Sequence, residues 1–188
     1  MRSWILVLVA LWCAALASPT CAGPSERRIA EFASGDGNVI YLAAGAVLPL
    51  LTDGDEGPGR ASHVLQAVAA GSLASGALKR LTQVKRPDAD SRDSFPSGHA
   101  TAAFTVATLQ SHYHPNQAAF WYAGAAVICW SRVCLSHHRV AEVLAGAALG
   151  HFTARWEIAR DRGLLVSPLV APEPDGGCFV GLRFCASY

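Results

Sequence analysis

The chain has 188 residues, enough for one domain with a core of its own, and a formal net charge of +1. No basic stripe and no interleaving of aromatic and basic residues occurs, so nucleic acid is not an expected partner. Hydrophobic residues make up 52% and charged residues only 15%, an apolar balance that leaves peripheral contact with a membrane open.

Met1 to Ala22 reads as a secretory signal peptide, with Arg2, an apolar run from Trp4 to Ala17, then a short polar region. Cleavage fits after Ala17 or after Ala22. Retention as a membrane anchor is the alternative, although the run is short for a span. Residues 23–188 are then the mature domain. Of the six cysteines, Cys13 leaves with the signal, and Cys21 leaves as well if the cut follows Ala22. Cys129, Cys134, Cys178 and Cys185 remain, an even number that suits an oxidising compartment. Cys129 and Cys134 lie in an apolar run and read equally well as reduced core residues. No C-x-x-C pattern supports structural zinc.

The mature part predicts helices. A short one covers Glu26–Phe32 and stops at Gly35-Asp36-Gly37. Val39–Leu51 is apolar and predicts a buried helix, too short to cross a bilayer comfortably. Thr52–Gly59 is a loop. A helix from Arg60 to Leu81 carries Lys79 near its end, and the charged loop Lys85–Phe95 carries Arg86. Further helices run from Ser97 to His112, from Gln117 to Arg132, and from His138 to about Arg160. The last puts His138 and Glu142 one turn apart on a single face. Beyond Gly163 the pattern becomes that of strands and a turn. The expected fold class is all-α: a single-domain helical bundle with a small C-terminal β-hairpin.

The chemistry gathers between Lys79 and Glu142. In Phe95-Pro96-Ser97-Gly98-His99-Ala100, proline keeps the chain extended, serine is a favoured N-cap, and glycine lets a ligand approach the backbone. A helix starting there offers the amides of Gly98 and His99 to an anion, and His99 is placed to donate a proton. Upstream stand Lys79 and, after six residues, Arg86-Pro87. Downstream stand Ser131-Arg132, then His138, then Glu142. Three cations, two histidines, a carboxylate and a helix N-terminus are the parts that hold and attack a phosphate. Neighbouring His137 is a rival nucleophile. His112 and His114 form a chelate-like pair that reads more simply as a solvated loop, and His63 and His151 read as satisfied core or rim residues.

The three clusters resemble the signature of the type-2 phosphatidic acid phosphatase family, which includes class A acid phosphatases and vanadium haloperoxidases: K-x6-RP, PSGH and SR-x5-H-x3-D. Every named position matches except the last, where Glu142 stands for aspartate. The resemblance implies a helical bundle and a phosphatase acting on phosphomonoesters or lipid phosphates and diphosphates. By it, His138 is the nucleophile forming a phosphohistidine and Glu142 orients it. His99 is the general acid and then the base, while Lys79, Arg86, Arg132, Ser97 and Gly98 hold the phosphate. No metal or organic cofactor is implied, although vanadate can mimic the phosphate. The extra methylene of Glu142 keeps a degenerate, non-catalytic phospholipid binder open as an alternative, beside a haloperoxidase and a histidine-rich metal binder. On this reading Glu142→Asp retains or raises activity. The implied setting is export, with the protein periplasmic or membrane-associated and facing the periplasm.

Overall fold

The computed structural model describes residues 21–160, 166–172 and 178–184. The expected signal segment ahead of Cys21 and the tail cysteine Cys185 lie outside the described residues. Among the described residues, six α-helices follow in order: α1 (Pro24–Ser34), α2 (Asp36–Thr52), α3 (Gly57–Thr82), α4 (Gly98–Tyr113), α5 (Ala118–Cys134) and α6 (Val140–Ala159). Strands β1 (Val166–Pro172) and β2 (Cys178–Phe184) pair antiparallel, with Val166 opposite Phe184 and Pro172 opposite Cys178. The expected helical bundle with a terminal hairpin is what forms.

Helix α4 is the axis of the bundle. Alanine, threonine and valine surround it on every side, so it can be enclosed without voids, and nearly every residue from Ala100 to Gln110 is buried. Helix α6 lies closest to it. A Cβ added at Gly146 would come within 2.4 Å of the Ser97 carbonyl oxygen, and one at Gly150 within 2.1 Å of the Thr101 carbonyl oxygen. Only glycine permits that approach. The main core joins Val64 and Ala67 of α3, Val106 and Leu109 of α4, and Trp121, Ala125 and Ile128 of α5. The Tyr41 hydroxyl of α2 donates to the Trp121 carbonyl at 2.8 Å.

Three expectations change. Helix α2 is not buried: only Asn38, Gly45 and Pro49 are, while Val39 and Leu51 are 64% and 75% exposed. Its apolar side chains surround the whole helix, but only the stretch around 41–46 packs against the core, with Gly45 against Val106. Together, 24–52 form a helical stretch of 29 residues long and apolar enough, by length and composition, to cross a membrane. The loop at Thr52–Gly59 shrinks to a 3-10 turn, Gly54–Glu56, before α3 begins at Gly57 with proline in its first turn. Helix α6 begins at Val140, so His138 precedes it rather than lying on it.

A disulfide joins Cys21 to Cys134. Cys134 is therefore not a reduced core residue, and the folded unit includes Cys21, ahead of the boundary expected at residue 23. Cys129 keeps a free thiol, which burial pushes up to about 12.

Candidate active site

The C-terminal ends of α3 and α5, the N-terminal ends of α4 and α6, and the segments joining them meet at one end of the bundle. The Ser97 N–H donates to the Glu142 carbonyl at 3.0 Å, tying the start of α4 to the start of α6. The first intrahelical bond of α4 runs from Thr101 N–H to the Ser97 carbonyl, so the N–H groups of Gly98 and His99 precede it. Ser97 has the extended backbone of an N-cap, but its hydroxyl caps nothing. That oxygen is buried with no hydrogen bond among the described residues, as are the Ser75 hydroxyl and Arg132 Nε.

His138 sits in the turn between α5 and α6, where Ser136 takes a positive φ of 59° and the His138 N–H donates to the Arg132 carbonyl. Glu142 is the third residue of α6. Its carboxylate folds back over the helix start, and Oε2 accepts the Arg139 backbone N–H at 3.0 Å, the carboxylate half of a capping box. The same oxygen lies 3.2 Å from His138 Nδ1. Capping, rather than a shared helical face, brings the pair together. Both residues are 3% exposed.

Burial pulls His138 down to about 4, helped by Arg132, Lys79 and Arg86 and opposed by the Glu142 hydrogen bond. Near neutral pH the ring is therefore uncharged, with Nδ1–H donating to Glu142 and Nε2 carrying the lone pair. Burial raises the Glu142 carboxyl, but hydrogen bonds from Ser94, Arg139 and His138 outweigh it and leave it below its ordinary value.

The cations converge on the same place. Burial pulls the Arg132 guanidinium down to about 10, with Arg86 adding to the effect, and burial also lowers Lys79. Asp93 organises two of them. Its carboxylate takes Arg86 Nε at 2.8 Å and Nη2 at 3.0 Å, and its carbonyl accepts Lys79 Nζ. The Arg86 fork holds the Asp93 carboxyl at about 2. His99 is pulled down to about 4 by burial first, then by the charges of Arg132 and His138. The structure thus gathers Lys79, Arg86, Ser97, Gly98, His99, Arg132, His138 and Glu142 at one site. His137 turns away to pair with Asp88.

Sequence reasoning missed Ser94, Asp93, Arg139 and Ser34. Ser94 reads as one more loop residue, although its hydroxyl donates to Glu142 Oε2 at 2.5 Å. Ser34 ends α1, and its hydroxyl accepts Arg132 Nη1 across a sequence separation of 98 residues. No local pattern announces such a contact. The other histidines disperse: His114 Nε2 lies 3.2 Å from Asp53, His63 lies 3.5 Å from Glu157, and His151 lies 3.1 Å from the Thr108 hydroxyl.

A family model described as the PAP2 superfamily matches residues 60–162, more than half of the chain. The chain belongs to the PAP2 superfamily. The matched stretch includes most of α3, all of α4, α5 and α6, and the segments joining them, which together carry Lys79, Arg86, Ser97, Gly98, His99, Arg132, His138 and Glu142. Among curated proteins, the chain is 34% identical over 96 residues to a Lipid A 1-phosphatase of Porphyromonas gingivalis, covering 48% of this chain. It spans only 20% of that relative's length. Two solved structures share the fold. LpxE of Aquifex aeolicus matches with TM-score 0.56 and 22% identity, over 71% of this chain and 82% of that one. A transmembrane PAP2 type phosphatidylglycerolphosphate phosphatase of Bacillus subtilis matches with TM-score 0.57 and 20% identity, over 80% and 84%.

Proposed function

We propose that this PAP2 chain is a phosphatase that hydrolyses phosphate esters through a phosphohistidine on His138. The observation that carries the reading is the buried pairing of His138 Nδ1 with Glu142 at 3.2 Å, beside the three cations. It leaves Nε2 as the neutral nucleophile. Nε2 attacks phosphorus in line and the bond to the leaving oxygen breaks. His99, in its protonated form, gives its proton to that oxygen. The positive charge left on the His138 ring is stabilised by Glu142. Water then attacks the phosphohistidine, His99 takes the proton, and inorganic phosphate leaves. Lys79, Arg86 and Arg132 neutralise the phosphate oxygens, with the Gly98 and His99 amides and the Ser97 hydroxyl as further donors.

His99 is neutral near pH 7, because burial and the charge of Arg132 outweigh its backbone hydrogen bond with Ser34. A phosphate dianion entering between Arg132 and Lys79 supplies the opposite charge and raises the proton affinity of the ring. The substrate itself then charges the acid.

The proposed substrates are phosphomonoesters and lipid phosphates or diphosphates, with an apolar tail favoured. Ile29, Phe32 and Ala33 of α1, Tyr41 of α2, and Val127 and Ile128 of α5 line an apolar groove of about 360 Å³. Arg132 stands one helical turn beyond Ile128. The exposed apolar side chains of 24–52 give the protein a surface for membrane contact. The Cys21–Cys134 disulfide fits export to an oxidising compartment. Of the two cleavage points, the one after Ala17 retains that bond.

The test is acid quenching of purified protein during turnover, followed by mass spectrometry of the His138 peptide. The expected result is a phosphorylated His138, with turnover abolished in His138→Ala and His99→Ala and undiminished by EDTA. Unimpaired hydrolysis by His138→Ala removes the nucleophile assignment. Bromide oxidation that requires both vanadate and peroxide would replace the phosphatase reading with a haloperoxidase.

A further inference from the structure

We propose that Ser94 is a positioning residue for the phosphoryl transfer: its hydroxyl selects which Glu142 oxygen holds the His138 ring. The proposal rests on the phosphohistidine reading and adds a residue to those it names.

Glutamate reaches farther than aspartate and has one more torsion, so its carboxylate needs more restraint to present one oxygen to an imidazole. Two groups of its own segment restrain it: the Arg139 backbone N–H on Oε2, and Arg139 Nη1 on Oε1 at 2.9 Å. Both draw the carboxylate toward the helix start, and among the described residues neither makes a hydrogen bond to the His138 ring. Ser94 does. It is fully buried, donates to Oε2 at 2.5 Å, and lies 3.5 Å from His138 Nδ1. One hydroxyl thus touches both members of the pair. Lys79 of α3 is the other charge that acts on Glu142, and Arg132, Lys79 and Arg86 act on His138.

The backbone holds Ser94 in place. Its N–H donates to the Val84 carbonyl at 3.0 Å, and the Arg86 N–H donates to the Ser91 carbonyl at 3.0 Å. Arg139 Nη1 also reaches the Lys85 carbonyl at 3.1 Å. The loop that presents Arg86 to the phosphate therefore also presents Ser94 to the carboxylate. This makes the registration of the nucleophile depend on the same short backbone pairing as the clamp.

The experiment is steady-state hydrolysis of p-nitrophenyl phosphate by Ser94→Ala and Ser94→Cys, each made in the wild-type and Glu142→Ala backgrounds. In the wild-type background, Ser94→Ala lowers kcat about 10- to 100-fold while KM stays within about three-fold, because misorientation costs rate rather than binding. The acid limb of kcat/KM moves to higher pH, since the carboxyl has lost a hydrogen bond that favours its charged form. In the Glu142→Ala background the further loss is less than about two-fold, as expected for residues acting as one unit. Ser94→Cys keeps nearly the same volume with a weaker donor and falls between, which keeps the test open if the alanine variant melts. A full extra loss in the Glu142→Ala background, or wild-type kcat in Ser94→Ala or in a folded Ser94→Cys, overturns the proposal. Wild-type protein that hydrolyses no phosphate ester overturns the phosphatase reading, and this assignment with it.

Discussion

Glu142 carries one methylene more than the aspartate of the family pattern, and the structure uses the added reach. Oε2 gathers Ser94, the Arg139 N–H and His138, while Oε1 takes the Arg139 guanidinium. Shortening the side chain cannot satisfy all of these at once. Glu142→Asp is therefore expected to lower kcat by about ten-fold, against the sequence-based expectation of retained or raised activity. Steady-state kinetics with a soluble monoester decide between them. The two site histidines also set a pH dependence of stability. Both are pulled to about 4 in the fold, whereas an unfolded histidine titrates near about 6.5. Between those values the unfolded chain binds more protons than the native one, so stability falls as pH drops from about 6.5 toward 4 and is fully present above that window. Melting temperature measured across the window should fall in wild type and fall less in His99→Gln. Equal slopes would mean that His99 does not carry the effect.

Among the helices, α4 and α6 set the site because their backbones touch where a side chain would otherwise stand. Gly146 lies one turn beyond Glu142 and faces the Ser97 carbonyl. Any Cβ there drives α6 away from Ser97, and with it the bond from the Ser97 N–H to the Glu142 carbonyl. Gly146→Ala is expected to cost about 1–3 kcal/mol of stability. The activity loss at a temperature well below the melt should exceed what unfolding accounts for. Chemical denaturation and kinetics on the same sample separate the two. A folded, fully active Gly146→Ala would show that α6 can shift without disturbing the His138–Glu142 pair.

At the scale of the whole molecule, the Cys21–Cys134 bond closes a sequence separation of 113 residues and ties the segment before α1 to the end of α5. Arg132 lies two residues before Cys134 and is held by Ser34 at the far end of α1. The N-terminal segment thus braces Arg132 from outside the family signature. Cys21→Ser is expected to destabilise the protein by about 2–5 kcal/mol, mainly by freeing the unfolded chain. Denaturant titration of wild type and variant under oxidising conditions measures this. An unchanged midpoint would mean that the bond does not form in solution.

The residues gathered at the candidate site were legible from the sequence because their types and spacings carry a phosphate-handling pattern locally. Lys79, Ser97, Gly98, His99, Arg132 and Glu142 stand at helix ends, and Arg86 and His138 in the segments joining them, which proline, glycine and the limits of the apolar runs mark. The helical bundle and the terminal hairpin were legible for the same reason, since periodicity and turn residues act over a few positions. Helix α2 was misread as buried because an apolar helix looks the same whether a core or a surface receives it. His138 was misread as helical because the capping bond that starts α6 two residues later depends on a folded-back carboxylate. Ser94, Ser34 and the Cys21–Cys134 pairing were decided only by tertiary structure. Each is a contact between segments whose separation along the chain leaves no periodic trace.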